Sequence, residues 1–270
     1  MKLTVKAVRA FQKCIFDHYR KQGRNFPWRE TDDPYAILVS EIMLQQTQSK
    51  RVVPFFNRWM KQFPTARVLA RAPLRKILRA WSGLGYNRRA LHLKRASETI
   101  VRVYGGVIPP DLNKIDALPG VGPYTAGAIG VFAFRIPSAF IETNIRTVYL
   151  HFFFQGRVNV VDDEILDVIG KTLPKRKTRQ WYNALMDYGA MLKETTGNPN
   201  IHGARYAKQS RFKGSRRELR GEVIRRASSS AKVTIQEFED RQSTCDVSKM
   251  FKELVAEGFL KKDGKVFKLA

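Results

Sequence analysis

The segment Leu118-Pro119-Gly120-Val121-Gly122-Pro123-Tyr124-Thr125-Ala126-Gly127-Ala128-Ile129 places the tightest limit on what this chain folds into. A short helical stretch, Lys114–Leu118, runs into two closely spaced glycines and then into Pro123 at a first helical position, so the segment reads as helix, tight turn, helix. Gly120 and Gly122 permit positive φ and close backbone approach, and the first N–H groups of the second helix point outward. Such a turn suits a phosphate oxygen, which makes Leu118, Gly120, Val121, Gly122 and Thr125 candidate DNA-backbone contacts.

Helical periodicity extends from Val5 to about Lys193, with Gly and Pro at the connectors and little of the strict alternation that marks strands. Asp33 is the expected cap of a helix over Tyr35–Gln48, opened by Pro34, and Pro64-Thr65 and Pro73 punctuate the next helices. Residues 194–215 read as a basic linker, with Gly197, Pro199 and Gly203 followed by Arg205, Tyr206, Lys208, Arg211, Phe212 and Lys213. Beyond it, Leu219, Val223, Ile224 and Ala227 have helical spacing, and Thr234 with Glu237 forms a capping-box pattern. Val247–Glu257 is a further helix ending at Gly258, and Phe259–Lys262 and Lys265–Leu269 are expected strands about an Asp263-Gly264 turn. The expected fold is therefore mainly α, with a small winged-helix-like α/β module over residues 216–270.

Forty-nine Lys and Arg against 24 acidic residues give a formal net charge of +25, spread along the chain, which calls for a polyanionic partner. Charge alone does not separate DNA, RNA and an anionic membrane. No apolar run reaches the roughly 18 residues that span a bilayer, and Lys2, Lys6 and Arg9 precede no signal-peptide core, so a cytoplasmic protein off the membrane is expected. Cys14 and Cys245, the two cysteines, cannot between them form a zinc site or an iron–sulfur cluster, and no cofactor or metal is expected.

Glu41 shares a helical pattern with Ile37, Leu38 and Leu44, a placement that buries its carboxyl and raises its pKa. Glu142 stands before Thr143-Asn144-Ile145-Arg146, where the positive end of a helix favours an anion. Two carboxylates in unlike surroundings separate a proton donor from a standing negative charge.

Phe26-Pro27-Trp28-Arg29, Asp33-Pro34-Tyr35, Ser40-Glu41-Ile42-Met43-Leu44-Gln45-Gln46-Thr47-Gln48, Trp81-Ser82-Gly83-Leu84-Gly85-Tyr86, the glycine hairpin and Ala184-Leu185-Met186-Asp187-Tyr188-Gly189-Ala190-Met191 together resemble the motifs of MutY-type adenine glycosylases, within the helix-hairpin-helix superfamily. The resemblance covers about Phe26 to Leu192. It implies a two-lobed helix-hairpin-helix glycosylase domain over residues 1–193, two helical subdomains with a base-binding cleft between them. It further implies Glu41 as general acid, and Glu142 with Asn144 at the position of the family's catalytic carboxylate. Tyr124 takes the place where bifunctional relatives carry a Schiff-base lysine, which implies a monofunctional enzyme. Gln45, Gln46, Thr47, Tyr86 and Arg88 fall where the family probes the DNA around a flipped nucleotide.

The chain also departs from that family. Glu142-Thr143 replaces an Asp-Gly pair, Asn87 replaces a second tyrosine, Lys193 replaces a cluster-binding cysteine, and the larger carboxy-terminal domain that reads oxidised guanine is missing. The winged-helix-like module, with Arg216, Arg217, Arg220, Arg225, Arg226, Lys261, Lys262 and Lys265, either contacts DNA, binds protein or packs on the catalytic domain. The expected activity is hydrolytic release of adenine mispaired with 8-oxoguanine or guanine, leaving an abasic site in base excision repair. Removal of a deaminated base (hypoxanthine, or uracil or thymine opposite guanine) and catalytically silent DNA binding are the alternatives. The expected partner is double-stranded DNA containing a mispaired or damaged base, bound by a monomer, nucleoid-associated in a bacterial or archaeal cell.

Overall fold

A computed structural model describes residues 3–204, 211–230, 232–239 and 246–270. Arg205, Tyr206, Lys208 and Cys245 lie outside the described residues. In chain order the helices are α1 Val5–Gln22, α2 Pro34–Leu44, α3 Ser49–Gln62, α4 Ala66–Arg71, α5 Leu74–Trp81, α6 Arg88–Tyr104, α7 Leu112–Asp116, α8 Pro123–Phe134, α9 Thr143–Phe153, α10 Asp162–Thr172, α11 Thr178–Thr195, α12 Arg216–Ser229, α13 Gln236–Glu239 and α14 Val247–Glu257. Strands β1 Leu260–Asp263 and β2 Val266–Leu269 follow. No helix among the described residues is long and apolar enough to cross a membrane.

The described residues divide into two compact units. The first draws on Met1–Glu41, Pro109–Ala117 and Val121–Lys208, the second on Ile42–Ile108, Leu118–Gly120 and Gln209–Ala270. In the first, α1, α9 and α11 bury Phe11, Ile15, Tyr149 and Trp181, and Phe11 meets Trp181 edge-on at 5.5 Å between ring centroids. Asp187 of α11 is also buried here, receiving two parallel bonds from Arg29 (2.8 and 2.9 Å) and one from the Arg24 side chain at 2.7 Å. Burial acts to raise the Asp187 pKa, yet the donated bonds and charges of Arg29 and Arg24 outweigh it and hold the carboxyl below its ordinary value. A buried charge met by two guanidinium forks explains why Arg29 and Asp187, far apart in sequence, both belong to recurring motifs.

In the second unit Trp59 and Trp81 pack edge to face at 5.3 Å, an arrangement worth about 1 kcal/mol beyond the area it buries. Phe238, Phe251, Phe259 and Phe267 build the core of the carboxy-terminal module. Its strands pair antiparallel, Leu260 with Leu269 and Asp263 with Val266, and Val233 bridges Phe267 in both directions at 2.9 and 2.8 Å. The turn is thus Gly264-Lys265, one residue beyond the expected Asp263-Gly264, and Gly264 takes the left-handed φ of 59°. Phe267 faces the core, where it meets Phe251 at 4.8 Å between ring centroids.

Helix α2 ends at Leu44, four residues short of the Tyr35–Gln48 expectation. Asp33 does cap it, accepting from Tyr35 and Ala36 N–H at 3.0 and 3.3 Å. Its far end is broken by Gln46, whose φ is 54°, and by the Arg89 side chain, which takes the last carbonyls.

Candidate active site and recognition groove

In the first unit, apolar residues at helical spacing carry Glu41 inward: Ile37 and Leu38 are fully buried and Glu41 is 5% exposed. Tyr124, in the first turn of α8, donates its hydroxyl to Glu41 Oε2 at 2.9 Å. Burial pushes the Glu41 pKa up to about 7; the Tyr124 bond opposes the rise and the charge of Glu142 adds to it. The same burial, with the two carboxylates, drives the Tyr124 phenol well above its ordinary range, so Tyr124 is a donor and not a base. Phe140 meets its ring edge-on at 5.7 Å, which fixes the direction of the hydroxyl.

Glu142 is the N-cap of α9. Its Oε1 accepts the N–H groups of Asn144 (2.8 Å) and Ile145 (2.9 Å), while Oε2 takes only the Asn144 amide, at 3.3 Å. Capping therefore occupies one oxygen and leaves the other lightly held on a half-buried side chain. Glu142 thus caps α9 chiefly through one oxygen. Asn144 is held from behind: Lys193 Nζ donates to its Oδ1 at 2.8 Å, and burial lowers the Lys193 pKa. A Cβ at Gly189, one helical turn earlier, would stand 2.2 Å from the Asn144 carbonyl oxygen, so α11 reaches this helix start only through glycine.

The residue that the sequence did not single out is Arg89, in the second unit. Buried on α6, it donates from Nη1 to the carbonyls of Ile42, Met43 and Gln45 (3.2, 2.7 and 2.6 Å) and from Nη2 to those of Leu84 and Gly85 (3.4 and 3.0 Å). One guanidinium thus ties the end of α2 to the loop that presents Tyr86. Burial brings its pKa down to about 10, still well above neutrality. Both segments carry a non-glycine residue in the left-handed region, Gln46 at φ 54° and Tyr86 at φ 50°, a conformation kept only where surroundings impose it. A charged residue amid the buried Ala90, Leu91 and Leu93 was the available signal, but it reads equally as a solvated face.

Gln46 is exposed, Gln45 leans to the Gly120 carbonyl at 3.4 Å, and Thr47 bonds back to the Gln45 carbonyl at 3.3 Å. Gly120 has φ 81°, and a Cβ there would lie 2.5 Å from the His92 Cβ, so both conformation and space require glycine. Gly122 does not use that freedom: at φ −133° it is the extended N-cap of α8, with open space where a Cβ would stand. Leu118 and Thr125 are each 2% exposed, so their side chains belong to the interior and only main-chain groups remain to meet a ligand. Val121 is half-buried, and Arg88 is exposed but paired with Glu257 at 2.6 Å.

Lys193, where the resemblance places a cluster cysteine, gives an ammonium bound to Asn144, and an ammonium is no ligand for iron. Groups of three or more potential metal ligands are absent among the described residues. The chain does not fit an iron–sulfur cluster.

The first unit thus holds a buried glutamic acid bonded to a tyrosine hydroxyl and a second carboxylate that caps a helix start, on a mainly helical frame. The family model described as HhH-GPD superfamily base excision DNA repair protein matches residues 39–179, more than half of the 270-residue chain. The protein belongs to that superfamily. It is 35% identical over 187 residues to the adenine DNA glycosylase of Buchnera aphidicola subsp. Baizongia pistaciae (strain Bp), covering 67% of this chain and 52% of the relative. It is 39% identical over 178 residues to that of Mycobacterium tuberculosis (strain ATCC 25618 / H37Rv), covering 64% and 58%. The chain thus spans a little over half the length of these curated relatives. Among solved structures, a thermostable thymine-DNA glycosylase superposes with a TM-score of 0.64 at 29% identity, covering 69% of this chain and 87% of that one. A trapped endonuclease III–DNA covalent intermediate has a TM-score of 0.62 at 19% identity, covering 70% and 88%, a likeness of fold alone.

Proposed function

We propose that the protein is a monofunctional DNA glycosylase that hydrolyses the N-glycosidic bond of adenine mispaired with 8-oxoguanine or guanine, in double-stranded DNA. The observation that carries this reading is the buried Glu41, held protonated to about pH 7 and oriented by Tyr124. Glu41 gives its proton to a ring nitrogen of the extruded base as the bond to C1′ breaks, and the bonding pair leaves with the base. The sugar becomes an oxocarbenium ion, and Glu142 Oε2 supplies the facing negative charge. Water adds to C1′ and returns a proton to Glu41, leaving an abasic site. Tyr124 offers no amine, so no imine forms at the hairpin. No cofactor enters the scheme. The curated relatives named adenine DNA glycosylase support adenine as the base.

A second reading, release of thymine or a deaminated base opposite guanine, is favoured by the likeness to the thymine-DNA glycosylase structure. Single-turnover excision on duplexes containing A:8-oxoguanine, A:G, hypoxanthine:T, U:G and T:G, followed by alkali, separates the two. Strand breakage confined to the adenine duplexes is the expected result. Breakage confined to the others selects the second reading, and binding without breakage on any duplex refutes both.

A further inference from the structure

Lys193 stands in the last turn of α11, one helical turn beyond Gly189, at the position that the family resemblance gives to a cysteine. The side chain is half-buried in the first unit, against the start of α9. Its Nζ donates to Asn144 Oδ1 at 2.8 Å, and the other end of the same amide, Nδ2, donates to Glu142 Oε2 at 3.3 Å. Lys193, Asn144 and Glu142 thus form a chain of two hydrogen bonds that ends on the carboxylate oxygen the cap leaves lightly held. Arg146, a further cation on α9, is taken up by Asp162, to which it gives bonds of 2.9 and 2.8 Å.

We propose that, in the glycosylase reaction set out above and resting on that reading, Lys193 is a positioning residue: it fixes which end of the Asn144 amide faces Glu142, and so the direction of the Glu142 oxygen that meets the sugar cation. An ammonium carries donors and no acceptor, so it holds only the oxygen end of an amide toward itself. The NH₂ end is thereby turned to Glu142, whose carboxylate oxygens accept only. Turned the other way, Oδ1 and Oε2 would be two acceptors face to face, and the carboxylate would swing off its present line. Burial lowers the Lys193 pKa, the charge of Glu142 raises it and that of Arg146 lowers it, so the anion that is positioned helps to sustain the cation that positions it. The packing of α9 on α11 has its own support in the buried Ile145, Val148, Tyr149, Trp181 and Leu185. Loss of the ammonium therefore costs orientation and leaves the core in place.

Lys193→Met keeps an unbranched stem and removes the ammonium. On whichever duplex the excision panel shows to be cleaved, single-turnover release at saturating protein should fall about tenfold, with Kd for a duplex bearing a tetrahydrofuran abasic analogue nearly unchanged. In an Asn144→Ala background the same substitution should cost nothing further, because Lys193 acts through that amide. A second readout needs no catalysis: the Asn144 side-chain NH₂ signals in a nitrogen–proton correlation spectrum, assigned by their loss in Asn144→Ala, should move in Lys193→Met. An unchanged release rate in Lys193→Met, an equal loss with and without Asn144, or amide signals indifferent to Lys193 overturns the inference. If melting curves show Lys193→Met unfolded, exchange of the Lys193 ammonium protons with water, faster in Asn144→Ala than in wild type, supports the same bond, and equal exchange overturns it. Absence of release from every duplex, with the amide signals still set by Lys193, would remove the glycosylase reading and support the positioning of Glu142.

Discussion

Glu41, Tyr124 and Glu142 stand on regular helices and helix starts, whereas Gln46 and Tyr86 occupy left-handed backbone that Arg89 and Arg217 restrain. In the first region the reactive groups are held by structure that would form anyway: a buried helix face, a first turn, an N-cap. In the second, side chains hold the backbone and are in turn indispensable to it. Proton transfer demands fixed burial and orientation, which helices supply without cost in strain. Reading DNA demands side chains displayed away from the surface, and loops in unusual conformations supply that only when clamped.

The largest expected effect separates the regions by chemistry. Glu41→Gln should lower excision by three orders of magnitude or so while leaving DNA binding intact, measured by single-turnover kinetics beside titration. Because the folded-state pKa of Glu41 is raised, the stability it contributes is present below about 4.5 and is lost as pH rises through about 7. At pH 8 the ionised buried side chain costs on the order of 3 kcal/mol, so Glu41→Gln should melt several degrees higher than wild type there and show no such gain at pH 4. Equal melting at both pH values would break the claim that burial tunes this acid.

Arg89→Met comes next. It removes five donated bonds and frees two strained loops, so a loss of about 3 kcal/mol in urea denaturation and a weaker affinity for DNA are expected, with the Glu41 pH dependence unchanged. Stability retained with affinity lost would show that the clamp shapes the loops without supporting the core. The smallest effect belongs to Tyr124→Phe. Removing a bond that lowers the Glu41 pKa should move the alkaline limb of the excision profile to higher pH, with a rate loss of about tenfold from misorientation of the acid. A limb that moves to lower pH would reverse the sign of the Tyr124 contribution.

The two regions were also unequally legible from sequence. The hairpin, the Asp33 cap and the burial of Glu41 follow from local rules, since glycine spacing, capping residues and apolar periodicity act within a few residues. The early end of α2 does not: Leu44 to Gln48 has no breaker, and what stops the helix is Arg89, more than forty residues on. Glycine spacing also leaves open which of the pair turns left-handed: Gly120 does, at φ 81°, and Gly122 stays extended. Arg217 gave no local sign of its bond to Tyr86, since one arginine among many on a basic helix carries no mark of its partner. Local chemistry was readable; tertiary hydrogen bonds were not.

The close approach of Gly189 to the Asn144 carbonyl has a consequence for how sequences of this kind can drift. Position 189 bears no functional group, so a scan for chemistry passes over it, and its helix would accept alanine gladly. Yet a single methyl there must displace the start of α9, and with it the Glu142 carboxylate that caps it. The contribution of position 189 is therefore an absence of atoms, and the helix start opposite depends on that space staying empty.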